Sequence, residues 1–329
     1  MSPNKLKNAL FIALKIAVSG FLLTFVLRKV GFQNILAHLA AMDLRFFFLS
    51  SLIYLLTIFL ASLRWGVLLK RSQSRKKLFS LCLIGGFFNH FMPGAVGGDA
   101  VKAYCLYKET GHGGSSLGSV FLDRYVGYLA LLSIGIISGV AGYSELKVLG
   151  LHWLMPALFI LFLSGSLLFF GLRIGRRFKA IADFYDFFHD TLRDRRIIGK
   201  AFLLSLIIQA LTILEIYCIS LGLGQHPSFT ALFVFVPLIV TAMAVPISIS
   251  GLGLREGAFV VLFGLTGISA DASAAISFLW FLSVMAGSLP GLAEYMRQGK
   301  MQYHRNNAPI LSRTSVRCEK GKRRGVDQG

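Results

Sequence analysis

A chain of 329 residues that is 55% hydrophobic and only 15% charged is not composed like a soluble enzyme, since soluble domains carry about a quarter of their residues as charges. Its formal net charge of +19 would suit nucleic acid, but the Lys and Arg residues sit in short loops and a tail between apolar runs. That is the pattern of cytoplasmic membrane loops, and it argues against a nucleic-acid partner.

In chain order, the run from about 8 to 27 predicts a first membrane helix. It starts basic, but it is long and lacks the A-x-A pattern of a removed signal. A second helix is expected over 44–69. The stretch 78–110 is too short in its apolar part to cross before Pro93 and a run of glycines interrupt it. Further helices are expected over 115–141, 151–171 and 197–223. Two shorter pieces, 229–245 and 254–268, flank a break at Pro246, and a last helix covers 272–296. The full-length runs approach or exceed the roughly 18 residues a bilayer requires.

Charge then sets the orientation. The loop 70–77 holds five basic residues and no acid, 172–200 holds eight and four, and the tail from Arg297 nine and two. All three are expected in the cytoplasm. With 70–77 and 111–115 on one side, 78–110 must enter and return, and the pieces around Pro246 make a second dip from the opposite face. Arg28, Lys29 and Arg45 are the exceptions, placed outside. The fold class expected is an all-α polytopic membrane protein of about eight membrane segments, with two re-entrant broken-helix regions in a candidate inverted repeat. Residues 1–300 form one domain, and 301–329 form a basic, disordered cytoplasmic tail. Residues 176–196 read as an amphipathic loop helix with Phe178, Ile181, Tyr185, Phe188 and Leu192 on one face. Packing on the bundle is the first reading, and lying in the membrane interface the second.

Charges at membrane depth cost about 2.5–3.5 kcal/mol each by insertion scales, so those present need partners or a wet cavity. The acids are Asp99, Asp123, Glu215 and Glu256, and the nearby bases Arg64, Lys102, Arg124 and Arg255. Asp99 and Lys102, at i and i+3, share a helix face. Asp99 caps a helix start, or Gly97 and Gly98 offer N–H groups to a phosphate beside Asn89, His90 and Pro93. Asp123 and Arg124 are expected to find different partners, whether as interhelical bridges or as substrate contacts. Glu215 stands alone in mid-helix, and a bridge to Arg255, Arg124 or Arg64 is weighed against a charge-coupling role. Arg255 and Glu256 follow Gly251 and Gly253, where an arginine fork beside a helix N-terminus suits an anionic headgroup.

Other chemistries lack their residues. GLGLREG is GxGxxxG between membrane segments rather than a dinucleotide fingerprint. There is no D-x-D, no catalytic set and no metal site, because His90, Asp99 and His112 are scattered. The four cysteines, Cys82, Cys105, Cys218 and Cys318, form no CxxC. No cofactor is expected.

NHFMPGAVGGDAVKAY, SVFLDRYVGYLALL and PISISGLGLREGAFVVLF resemble the signatures of the lysylphosphatidylglycerol synthase transmembrane family, also called flippase-like or UPF0104. The likeness runs from about 8 to 297. Asn89, Pro93, Gly97, Gly98 and Asp99 match its first motif, with Lys102 where arginine is common. Asp123 and Arg124 match the second, and Pro246, Gly251, Gly253, Arg255 and Glu256 the third. The resemblance implies an inner-membrane protein with re-entrant segments. A similar domain in the multiple peptide resistance factor moves aminoacylated phosphatidylglycerol between leaflets. The soluble aminoacyl-transfer domain of those factors does not follow here, so lipid synthesis by this chain is not expected. The expected function is transport of an anionic or phosphate-containing lipid, either a phospholipid or a polyprenyl-phosphate type. The alternative is a membrane enzyme or accessory subunit of a glycolipid or polyprenyl-phosphate pathway. A lipid-synthesis enzyme partner and a homo-oligomer are further expectations, as is a plasma-membrane location with both termini cytoplasmic.

Overall fold

The computed structural model describes residue 24 and residues 32–70, 73–91, 97–148, 150–172, 179–244 and 251–307. The expected first helix over 8–27 and both proline breaks, Pro93 and Pro246, therefore lie outside the described residues. Apolar surroundings offer backbone groups no partner, so a chain this apolar must satisfy them within helices. Among the described residues every element is helical.

The helices are α1 (Phe32–Ala40), α2 (Leu44–Leu68), α3 (Arg75–Phe91), α4 (Gly97–Thr110), α5 (Gly113–Ala141) and α6 (Tyr143–Val148). They continue as α7 (Leu154–Leu172), α8 (Lys179–Arg193), α9 (Arg195–Gly222), α10 (Phe229–Ala244), α11 (Leu254–Gly264) and α12 (Ala270–Asn307). Five are long and apolar enough to cross a membrane: α2, α5, α7, α9 and α12 through Arg297. The short helices α1 and α6 occupy stretches for which the sequence predicts no membrane segment. Both lack the length of apolar sequence that made the other elements legible. α12 runs past residue 300 to Asn307.

Side-chain oxygens set two of the helix starts. Asp43 accepts from Arg45 N–H at 2.9 Å at the head of α2, and Asp194 accepts from Arg196 and Ile197 at the head of α9. α2 packs extensively on α9, and α12 packs across α3, α2 and α11. α12 is the most enclosed of the long helices, whereas α7 buries only Met155 and faces outward. The α8 helix behaves as its periodicity requires. Tyr185 and Phe188 are buried while Ile181 and Leu192 are partly exposed, and Phe188 stacks on Phe170 of α7 at 3.9 Å between ring centroids. Phe178 lies outside the described residues.

Lipid tails are as apolar as leucine, so helices in a membrane associate through close packing of small residues and through polar contacts. Both are present. A Cβ on Gly98 would lie 1.8 Å from the carbonyl oxygen of Gly85, one on Gly291 2.1 Å from that of Leu83, and one on Gly287 2.7 Å from that of Ser51. Backbone therefore touches backbone between α4 and α3, α12 and α3, and α12 and α2. The polar tie is Arg64. Its guanidinium donates to both carboxylate oxygens of Asp123, at 2.7 and 3.0 Å, and to Ser205 Oγ at 2.9 Å, joining α2, α5 and α9. Gly127 leaves room for it, since a Cβ there would meet Arg64 Nη1 at 2.8 Å.

Two predictions follow from this packing. Gly98→Ala should lower the thermal stability of the detergent-solubilised protein by roughly 1–3 kcal/mol or more, as overpacking does. Gly165→Ala, inside α7 with nothing within 4 Å, should leave the melting temperature unchanged or raise it slightly, since Ala favours a helix interior over Gly. Arg64→Met should cost about 3–5 kcal/mol by stranding a buried carboxylate. The double variant Arg64→Met/Asp123→Leu should recover part of that loss in the same melting assay.

Candidate functional site

The site builds outward from α5. Asp123 and Arg124 are neighbours, so their side chains diverge by about a hundred degrees around the helix. Asp123 turns to Arg64 and, at 3.9 Å, to the Lys102 ammonium. Arg124 turns the other way, its Nε 2.5 Å from Asp99 Oδ2. Lys102 closes the gap with Nζ 3.3 Å from Asp99 Oδ1, an ionic contact without hydrogen-bond alignment. The ammonium also sits 5.0 Å from the centre of the Trp65 ring. The result is one chain of charges, Arg64–Asp123–Lys102–Asp99–Arg124, in which three cations meet two carboxylates.

Four of its members are buried, but Arg124 keeps 54% of its side-chain surface exposed. It lies eleven residues into α5, about 17 Å along the axis at 1.5 Å per residue. On a helix long and apolar enough to cross a membrane, a guanidinium that far along cannot face acyl chains cheaply. It needs water or an anion on its open side.

The start of α4 departs from both sequence readings. Asn89 Oδ1 accepts from Gly98 N–H at 2.8 Å, so Asn89 caps the helix from α3 and Asp99 does not. The Gly98 N–H expected to face a phosphate is already occupied, while Asp99 spends its carboxylate on Lys102 and Arg124.

The third motif, around Arg255, is closed. Gly251 and Gly253 hold φ of 76° and 83°, a region where a side chain would be strained. The turn they make lets Arg255 N–H reach Gly251 O at 2.8 Å and Gly253 N–H reach Glu256 Oε2 at 2.7 Å. Arg255 Nε donates to Glu256 Oε1 at 3.1 Å and to Ser277 Oγ at 3.0 Å, and Nη2 also meets Glu256. Its guanidinium carbon lies 4.6 Å from the Phe281 ring centre. With Arg255 only 1% exposed, this arginine does not present an open fork.

α4 packs mainly on α3 and α5, and α11 mainly on α12 and α10. The two motifs are joined instead by intermediaries. Phe281, under Arg255, meets the His90 ring edge-on at 5.8 Å, and His90 Nε2 is 3.5 Å from Tyr54 OH. One turn past Arg124, Tyr128 donates to Thr241 Oγ1 at 3.1 Å, tying α5 to the end of α10 that leads into the third motif.

Glu215 is buried at 1% exposure, and among the described residues no ion pair joins it to any of the three arginines. Its carboxyl meets Thr57 Oγ1 at 3.1 Å and Trp280 Nε1 at 3.2 Å. The bridge weighed from the sequence is replaced by two neutral donors. Tyr54, Thr57, Ser205, Ser277 and Trp280 were absent from the sequence reading as site residues. The legible signal was a polar stripe on α2, where Ser50, Tyr54, Thr57 and Arg64 recur at helical spacing within an apolar run.

Among the described residues no three His, Cys, Asp or Glu side chains gather as metal ligands do. A cavity of about 430 Å³ lies between α5, α7 and α8, among Tyr125, Leu163, Phe170, Asp186, Phe188 and His189.

Comparison with known proteins covers most of this chain. Residues 12–291 match the family described as lysylphosphatidylglycerol synthase TM region. A UPF0104 membrane protein of Methanothermobacter thermautotrophicus is 28% identical over 87% of this chain and 92% of its own length. A UPF0104 membrane protein of Pyrococcus horikoshii is 22% identical over 84% of this chain and 95% of its own. No solved structure matches the chain significantly. With its long apolar helices and a match spanning all three motifs, this multi-pass membrane protein belongs to the lysylphosphatidylglycerol synthase transmembrane family.

Proposed function

We propose that this chain is a flippase-like transporter that moves an anionic, phosphate-bearing lipid between leaflets. One observation carries the reading. The buried charge chain holds one more cation than carboxylates, and its open end is Arg124 at membrane depth. A surplus guanidinium there suits the bidentate geometry of a phosphate oxygen pair, and a headgroup would supply the missing negative charge. Asp99, Lys102 and Asp123 hold the guanidinium in place. The half-buried Tyr54 and His90 lead from it toward the third motif.

In this reading the chain spans a plasma membrane with about eight segments. α3–α4 and α10–α11 form two re-entrant pairs of opposite orientation. The basic loops 70–77 and 172–200 and both termini face the cytoplasm. The sealed Arg255–Glu256 pair, with Gly251 and Gly253 at its turn, is the second headgroup station. It opens only when α11 separates from α12. Acyl chains stay in lipid while the headgroup passes along the polar faces of α2 and α5. Residue asymmetry between the halves, exposed at Arg124 and closed at Arg255, fits one end state of an alternating cycle.

The test is headgroup exchange in liposomes containing fluorescently labelled phosphatidylglycerol, read by quenching from outside. Arg124→Ala should slow exchange roughly tenfold or more, the worth of one charge-assisted hydrogen-bonded contact, in protein that still folds but melts lower for want of the Asp99 contact. Arg124→Lys should retain part of the rate. Arg45→Ala, at an exposed helix start, should exchange as the parent does. A parental rate in Arg124→Ala would overturn the site.

A further inference from the structure

We propose that Glu215 is a proton-binding site, its carboxyl alternating between ionised and neutral forms as the Thr57 hydroxyl reverses direction. The geometry at Thr57 carries this. Its Oγ1 lies 3.1 Å from Glu215 Oε1 and 3.0 Å from the carbonyl oxygen of Ile53, two acceptors for one hydroxyl proton. Only one of those contacts is donated by Thr57 at a time, and each choice corresponds to a protonation state of Glu215.

With Glu215 ionised, Thr57 donates to Oε1 and Trp280 donates to Oε2. With a proton added at Oε1, the carboxyl becomes the donor. It donates to Thr57 Oγ1, and Thr57 turns to donate to the Ile53 carbonyl. Trp280 Nε1–H donates to Oε2 at 3.2 Å throughout. One proton passes from hydronium in the solvent to Oε1, the hydronium O–H bond breaking to leave water, and the site passes from one negative charge to none. Both states leave every buried polar atom of the carboxyl satisfied, which a permanently charged or permanently neutral group would not require.

The surroundings fit a group that changes charge. Among the described residues Glu215 makes no ion pair, unlike Asp99, Asp123 and Glu256. The titratable groups that face it are Tyr54 from α2 and Cys218 from its own helix. Among the described residues α5, α8, α10 and α12 direct no charged side chain at it. Access runs past Thr57, which is half-buried, and Tyr54, which contacts His90 and lies near Arg124. A proton taken up here therefore sits beside the path assigned to the lipid headgroup. The coupling role rests on the transport reading above, whereas the binding site itself does not.

The experiment has two arms on the full chain. In nanodiscs, infrared spectra across a pH series should show the carbonyl stretch of a neutral carboxylic acid that fades as pH rises. Glu215→Gln should remove that band. Thr57→Val, which keeps the shape but deletes the hydroxyl, should shift its midpoint. Fluorescence assigned to Trp280 by Trp280→Phe should follow the same midpoint. In liposomes, an imposed pH gradient should change exchange of labelled phosphatidylglycerol several-fold in the parent and leave Glu215→Gln indifferent to it. If no titrating carboxyl disappears in Glu215→Gln, and Thr57→Val alters no band, the proton site is overturned. A titrating Glu215 with gradient-blind exchange overturns the coupling. If the parent exchanges no lipid at all, the transport reading fails, and the infrared arm still decides the site.

Discussion

The fold depends on a balance between buried charge and the low-dielectric bulk around it. An isolated ion at membrane depth is expensive, so each charged group must be neutralised by a neighbour brought in from another helix. Arg64 does this most completely, with both carboxylate oxygens of Asp123 and the hydroxyl of Ser205 arranged around one planar fork. The register of α2 against α5 and α9 is fixed by that fork. Leucine packing alone tolerates a sliding helix, whereas a bidentate contact tolerates little displacement. Lys102, Asp99 and Arg124 extend the same constraint to α4.

The two glycine-bearing motifs solve different problems with similar ingredients. At the first, glycines bring two backbones together so that α4 begins against α3, and an asparagine supplies the cap. Its acid and base side chains are released to an interhelical network. At the second, glycines make a left-handed turn, and the acid and base that follow satisfy each other and the turn itself. One motif is therefore open to its surroundings through Arg124, while the other is self-contained.

Much of this was legible in the sequence. The long helices follow from apolar runs, and their ends agree within a few residues with α2, α5, α7 and α9, whereas α12 starts as expected but continues to Asn307. The divergence of Asp123 and Arg124 follows from helix geometry alone. The roles of Asp99 and Arg255 did not follow. Whether a carboxylate caps its own helix or reaches across to another depends on what stands opposite, and Asn89 and Arg124 come from other helices. Arg255 was read as an open fork because nothing in PISISGLGLREGAF reveals that Ser277 and Phe281 stand over it. Neutral partners such as Thr57 and Trp280 are harder still, because hydroxyls and indoles are ordinary in membrane helices. Only their position against Glu215 distinguishes them.

The contacts of Gly98 with Gly85 and of Gly291 with Leu83 have a mechanical meaning. Where no side chain separates two backbones there is nothing compressible between them. A push on α4 then reaches α12 through α3 with almost no slack, and the three helices act as one stiff lever. α7, which buries a single methionine, has no comparable grip on the bundle. Motion in this protein should be partitioned accordingly, with displacement concentrated at side-chain-filled seams and the glycine-lined seams carried along unchanged.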